Sequence, residues 1–257
     1  MDMATAAMTT MSEAMLPFIR VGAMLMVMPL IGTQIVPQRI RLILALCITV
    51  AILPSLKTQL IELPLPGTLG WTLAAIKELI IGAVHGLTVQ MLFQVLVVGG
   101  QLIAMQAGLG FAQLMDPVNG VSVAAISQLY LLMANIVFFS SNGHLALIQV
   151  LSESFVQLPL GLGYWHQALA PGFLGLVSWM FAAGLLVALP AVTALLLVNI
   201  AFGVISKLSP QFNVLSFGFA FIVFLGIVIV AATLSRIVPA FDELTAEALL
   251  MLRGFYG

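Results

Sequence analysis

Two long stretches of this chain hold no residue that carries a formal charge at neutral pH: residues 79–115 and residues 154–206. A soluble domain carries about 25% charged residues, spread over every surface it presents. Here the whole chain of 257 residues has 7% charged and 62% hydrophobic residues. So few charges cannot cover a water-facing surface, and the composition defines a polytopic membrane protein. It excludes a disordered chain, which needs low hydrophobicity and high charge. It also argues against nucleic-acid binding: eight Lys and Arg against nine Asp and Glu leave a net charge of −1, with no basic stripe to neutralise phosphates.

Apolar runs of this length imply helices, because every backbone group in hydrocarbon must find its partner within the segment. The alternation over ~10 residues that marks a membrane barrel strand is missing. A spanning helix needs roughly 20 mainly apolar residues. Six segments meet that description: 15–36, 40–56, 73–98, 121–150, 173–202 and 212–237. The fourth is too long for one straight crossing and reads equally as two shorter helices. Pro64, Leu65, Pro66 and Gly67 form a turn signal between the second and third segments. The stretch from Pro159 to Pro171 reads as a loop, with Tyr164 and Trp165 suited to a membrane–water interface. Pro29 and Pro190 fall inside apolar runs and are expected to kink or break their helices. No linker, low-complexity tract or internal repeat interrupts the pattern, so residues 1–257 read as one integral membrane domain of all-α class.

The first residues carry Asp2 and Glu13 and no Lys or Arg before Arg20. That is unlike the basic start of a cleaved signal peptide, so the first apolar segment is expected to stay in the protein. The lone Cys47 lies in an apolar run and is expected to be a small buried hydrophobe. Six simple crossings would put Arg39, Arg41 and Lys207 on one side and Lys57, Arg236 and Arg253 on the other. That tie leaves the orientation open.

Ionisable residues inside such segments are functional candidates. Arg20 has two readings: its head snorkels to the interface, or it pairs with a buried group. Lys77 and Glu78 are adjacent, so they point about 100° apart and do not face each other. They are expected to mark where the third segment begins. Asp116-Pro117 is a turn signal. His85 sits between Gly82 and Gly86, a GxxxG spacing that permits close helix approach. No two histidines are spaced as zinc ligands, and there is no HExxH, G-x-S-x-G or P-loop. No metal site, cofactor or catalytic constellation is therefore expected.

The stretch 97–120, VVGGQLIAMQAGLGFAQLMDPVNG, stands apart. It holds five glycines, three glutamines, Asn119 and Asp116 between two strongly apolar runs. Irregular backbone at membrane depth survives only where protein buries it or it lines a water-filled cavity. The stretch is either a re-entrant loop or pore element, or an ordinary connection outside the membrane. Met105 and Met115 flank it and could form a soft seal.

The whole chain resembles the FliR family of flagellar type III export-gate subunits and their virulence-secretion relatives. The resemblance rests on Phe18-Ile19-Arg20 followed by Pro29, Pro37-Gln38-Arg39 leading to Pro54, and Gln106-Ala107-Gly108 through Phe111 to Asp116-Pro117. It continues with Phe138-Phe139, Asn142-Gly143-His144, Ser154-Phe155 and Pro159-Leu160-Gly161. Leu189-Pro190 opens a last block, running through Gly203 and Lys207 to Pro210-Gln211-Phe212-Asn213 and Gly218. Lys207 stands where relatives often carry Arg.

The resemblance implies one FliR-like subunit joined with several FliP and FliQ subunits in a helical export pore, with FlhB around it and FlhA nearby. It implies the bacterial inner membrane at the flagellar basal body, unfolded export proteins as substrates, no enzyme activity and no cofactor. It also implies tilted helices in an assembly, which would account for the tied charge count. By position, the pore-closing loop would contain Gln106, Gly108, Gly110, Phe111, Met115, Asp116 and Pro117. Assembly or interface roles are expected at Arg20, Lys207, Pro210, Gln211 and Asn213. A virulence-system export gate is the alternative within the family. A stand-alone secondary transporter is the alternative from another class, though the inverted repeats it would show are missing.

Overall fold

A computed structural model describes residues 3–29, 36–56, 68–109, 124–161, 169–208 and 214–255. Among these residues every regular element is a helix: α1 (Met3–Val27), α2 (Gln38–Leu56), α3 (Leu69–Gln106), α4 (Ala125–Ser140), α5 (Gly143–Gln157), α6 (Leu169–Leu208) and α7 (Val214–Gly254). The all-α, polytopic expectation holds.

The count of crossings changes. Four described helices are long and apolar enough to span a bilayer, and α4 with α5 makes a fifth if the broken pair acts as one span. The first apolar segment is not among them. The helix there begins at Met3 in polar sequence and ends at Val27, two residues before Pro29. Proline lacks an N–H and disfavours helical backbone in the residue before it, so the helix stops short of the run's apolar end. Pro190 behaves differently and does not break its helix, for α6 continues on both sides of it. The Thr193 hydroxyl donates to the carbonyls of Leu189 and Pro190 in the next turn, at 2.8 and 3.1 Å. Neither is the carbonyl that Pro190 leaves without its N–H partner, which is that of Leu186, four residues earlier.

The fourth segment divides as one of its two readings required. α4 ends at Ser140 and α5 begins at Gly143. Between them Asn142 takes a left-handed conformation, φ 59°. Asparagine is one of the few residues that does so readily. At ~1.5 Å per residue, the 38 to 41 residues of α3, α6 and α7 reach roughly twice the ~30 Å of a bilayer's hydrocarbon core.

The chain divides into two compact units. One comprises Met1–Met91, Asn142–Leu176 and Ala246–Gly257; the other comprises Leu92–Ser141 and Val177–Thr245. The first unit is organised around the crossing of α1 and α3. Leu16, Val21 and Met24 of α1 and Ala74 and Ile81 of α3 are buried there. The GxxxG expectation holds at this crossing. A Cβ on Gly82 would lie 2.1 Å from the Arg20 carbonyl oxygen, and one on Gly86 would lie 2.6 Å from that of Met24. Only glycine lets the two backbones come this close.

The second unit has an aromatic centre. The Phe93 ring meets Phe138 and Phe241 edge-on, with centroids 5.5 and 5.6 Å apart. Large apolar side chains remain outward on α2 and α6, among them Ile43, Leu46, Val50, Leu186, Leu197 and Ile200. Cys47 shares that exposed setting on α2, contrary to its expected burial. Apolar character in a membrane chain marks contact with lipid or other subunits as readily as it marks a core.

Candidate functional site

Arg20 does not snorkel. Its side chain is wholly buried in the first unit and uses all three guanidinium nitrogens. Nε donates to Glu78 Oε2 of α3 at 2.5 Å, Nη1 to Ser154 Oγ of α5 at 3.0 Å, and Nη2 to the Leu158 carbonyl at 2.9 Å. Its carbon Cζ lies 4.0 Å from the centroid of the Phe155 ring. The flat fork of arginine can serve three differently placed acceptors at once, and a lysine cannot copy it. Ser154 is itself ordered, donating to the Leu151 carbonyl at 2.6 Å.

Lys77 and Glu78 do point apart, yet they do not mark a helix start. They lie well inside α3, and both are buried. Lys77 Nζ donates to the carbonyls of Pro159 at 2.8 Å and Gly161 at 3.0 Å. The adjacent pair therefore grips its surroundings on two sides: Glu78 takes Arg20 of α1, and Lys77 takes the turn that follows α5. The sequence signal for this was two adjacent charges in an otherwise apolar segment. The partners lie 58 and 82 or more positions away and left no local trace. The other ion pair among the described residues, Arg253 with Glu153 at 2.9 Å, is exposed at both ends. A pair of that kind contributes at most ~1 kcal/mol.

The second feature is the end of α3, where the expected pore-closing stretch begins. Gly108 has φ 77°. The Gly108 N–H donates to the Met105 carbonyl at 3.2 Å, and the Leu109 N–H donates to that of Ala104 at 3.0 Å. This paired pattern is the Schellman stop, whose left-handed residue is usually glycine. Gly108 thus terminates α3 cleanly. The last turn is held from outside as well. Asn199 Nδ2 of α6 donates to the Gln106 carbonyl at 3.2 Å, and Ala107 is fully buried against Gly226 of α7. Met105 points outward. Gln101 Oε1 accepts from the Ala124 N–H at the start of α4, at 3.2 Å. Neither Gln101 nor Asn199 was a candidate from sequence, because a polar amide in an apolar run does not reveal its partner.

Among the remaining candidates, Lys207 is exposed in the last turn of α6. There its charge complements the helix C-terminus. Gly110, Phe111, Met115, Asp116, Pro117, Pro210, Gln211 and Asn213 lie outside the described residues. Among the described residues, no three His, Cys, Asp or Glu side chains gather as metal ligands.

These features define a class: an all-α, membrane-integrated protein whose long helices are tied by a buried charge node. The sequence comparisons narrow it. The model of bacterial export proteins, family 1, matches residues 11–248. The flagellar biosynthetic protein FliR of Escherichia coli K12 is 33% identical over 239 residues, covering 92% of this chain and 89% of that protein. FliR of Caulobacter vibrioides is 32% identical over 238 residues, covering 92% and 94%. FliR of Pectobacterium carotovorum is 30% identical over 245 residues, covering 94% and 91%. The chain belongs to this bacterial export family, the FliR family.

Proposed function

We propose that this chain is a subunit of the flagellar type III protein export gate. One copy assembles with FliP and FliQ subunits into a pore in the bacterial inner membrane at the flagellar basal body. FlhB binds around the pore and FlhA lies nearby. Unfolded flagellar proteins pass through it, moved by partners or by the ion gradient, and the chain has no catalytic site of its own. The match along residues 11–248 carries this reading, and the flagellar name of the relatives favours a flagellar over a virulence system. The outward apolar side chains of α2 and α6 are consistent with burial against other subunits. Purification in mild detergent with mass measurement tests the assembly. A monodisperse, stable monomer of the chain expressed alone would count heavily against it.

In this reading Gln106, Gly108, Gly110, Phe111, Met115, Asp116 and Pro117 belong to a closure of the pore. A closure must block ions at rest yet yield to substrate, so its packing must be weak and reversible. Deleting residues 108–115 is expected to spare assembly and make the membrane leaky to ions, read as conductance through the assembled complex. An assembled deletion that stays as tight as wild type would return the stretch to an ordinary connection.

Arg20, Lys207, Pro210, Gln211 and Asn213 are assembly residues in the same reading. Lys207 would meet a carboxylate, a helix C-terminus or a lipid phosphate. Lys207→Glu is expected to impair assembly or export, and Lys207→Arg to be mild. Equal export from both variants, measured as secreted substrate, would remove Lys207 from this set.

A further inference from the structure

Within the second unit, α3 is packed closely against three other helices. A Cβ on Gly99 would lie 3.1 Å from the Gly184 carbonyl oxygen of α6, and one on Gly100 would lie 2.7 Å from Ser127 Cα of α4. A Cβ on Gly226 of α7 would lie 2.7 Å from that of Ala107. Between Leu92 and Met105, the residues of α3 that keep some exposure are Gln94, Val97, Val98, Gln101, Leu102 and Met105. Their spacing of three and four places them on one face of the helix.

Two of these six are glutamines, two turns and ~10.5 Å apart along the axis. Among the described residues the Gln94 side chain makes no hydrogen bond. Gln101 uses only its Oε1, which accepts from the Ala124 N–H at 3.2 Å, with Ser127 Oγ 3.5 Å away. Its amino group has no acceptor among the described residues. Both glutamines lie near the middle of the uncharged stretch 79–115. Facing hydrocarbon at that depth, their donors and acceptors would go unmatched.

The outward face of α6 in the same unit is built differently. Phe181, Leu185, Leu186, Leu197 and Ile200 are exposed there. Between Phe181 and Ile200 the polar side chains are Thr193, bonded within its own helix, and Asn199, bonded to the Gln106 carbonyl. That face suits lipid or an apolar partner, whereas the α3 face demands a polar one. A partner helix reaching the α3 amides would have to come close, and close approach takes small residues. The α3 face has none, because Gly99 and Gly100 are buried on its other sides. Water satisfies such amides without that requirement. A neutral amide also donates to and accepts from peptide groups, which every unfolded chain carries at each residue whatever its sequence.

We propose that α3 lines the export passage through Gln94 and Gln101, whose amides meet water and the backbone of the unfolded chain in transit. This rests on the export-gate reading, and the test separates the two. Cys47 is first replaced by Ala, so that each added cysteine stands alone. Gln94→Cys is then compared with Leu197→Cys of α6 in the assembled complex, using a charged methanethiosulfonate reagent. Only a thiol in contact with water ionises and reacts readily. Gln94→Cys is expected to be labelled about tenfold faster than Leu197→Cys. It should also form a disulfide with a cysteine-bearing export substrate stalled in the complex.

Equally slow labelling at both positions overturns the proposal, since lipid or another helix then covers the glutamine face. A disulfide formed with a partner subunit's cysteine and not with the stalled substrate overturns it too. In either case an assembled complex leaves the export-gate reading standing. If the wild-type chain forms no complex with partner subunits, that reading falls and the proposal with it. If Gln94→Cys does not assemble, Val98→Cys probes the same face with a smaller change and is read by the same criteria.

Discussion

Replacing Arg20 with methionine should prevent this chain from accumulating in the membrane. The substitution keeps the volume of the aliphatic stem and removes the guanidinium that serves Glu78, Ser154 and the Leu158 carbonyl. The Glu78 carboxylate then stays buried without its Nε–H partner. Breaking a buried ion pair from one side costs about 3–5 kcal/mol. That is a large share of the ~5–15 kcal/mol of a whole domain. Arg20→Lys keeps the charge and loses the fork, so it should fall between wild type and methionine.

The informative comparison is the double variant Arg20→Met with Glu78→Met. An apolar pair of similar size is often as stable as the ion pair it replaces. The double variant should therefore recover most of the membrane-inserted protein and of the thermal midpoint of the purified complex. If Arg20→Met alone loses less than ~1 kcal/mol, the node behaves as an exposed pair would, and its burial is not what matters.

Gly82→Ala should also destabilise the protein, although it adds only one methyl group. That methyl would sit 2.1 Å from the Arg20 carbonyl oxygen and 2.8 Å from the Ala23 Cβ. The first obstacle is backbone, so no rotamer change relieves it, and α1 must move as a body. Overpacking of this kind costs ~1–3 kcal/mol, against which the helix gains up to ~1 kcal/mol from replacing glycine. Because the obstacle belongs to Arg20, shifting it also draws the guanidinium away from Glu78. The losses from Gly82→Ala and Arg20→Met should then be less than additive, as expected for residues that share one network.

Gly22→Ala, on the facing helix α1, is the control. Nothing lies within 4 Å of a Cβ built there. It should be neutral or stabilising by up to ~1 kcal/mol. Thermal melts of the three complexes decide the matter. Equal midpoints for Gly82→Ala and Gly22→Ala would show that the helices do not cross this closely.

The amino-acid order alone determined the class of this protein and the sites of some of its breaks. Long uncharged runs leave helices as the solution, because backbone groups in hydrocarbon need partners within their own segment. That argument uses only neighbours along the chain, so it works without a structure. The length of the fourth segment likewise allowed two helices, although the structure was needed to place the break at Ser141 and Asn142. The GxxxG at Gly82 and Gly86 is local as well, and its spacing announces a close crossing without naming the other helix.

What the tertiary structure decided is which groups meet. Arg20 could snorkel or pair, and only the fold brings Glu78, Ser154 and Phe155 around it. Lys77 and Glu78 read as a boundary because their partners come from distant parts of the chain. Pro190 read as a kink or a break, and α6 runs on through it. Ala124 read as one more residue of the fourth apolar run, and its N–H donates to a glutamine from another helix. A buried polar group must be satisfied, and that rule is local. The partner that satisfies it is chosen by packing between helices far apart in the chain, and no window of the sequence contains both.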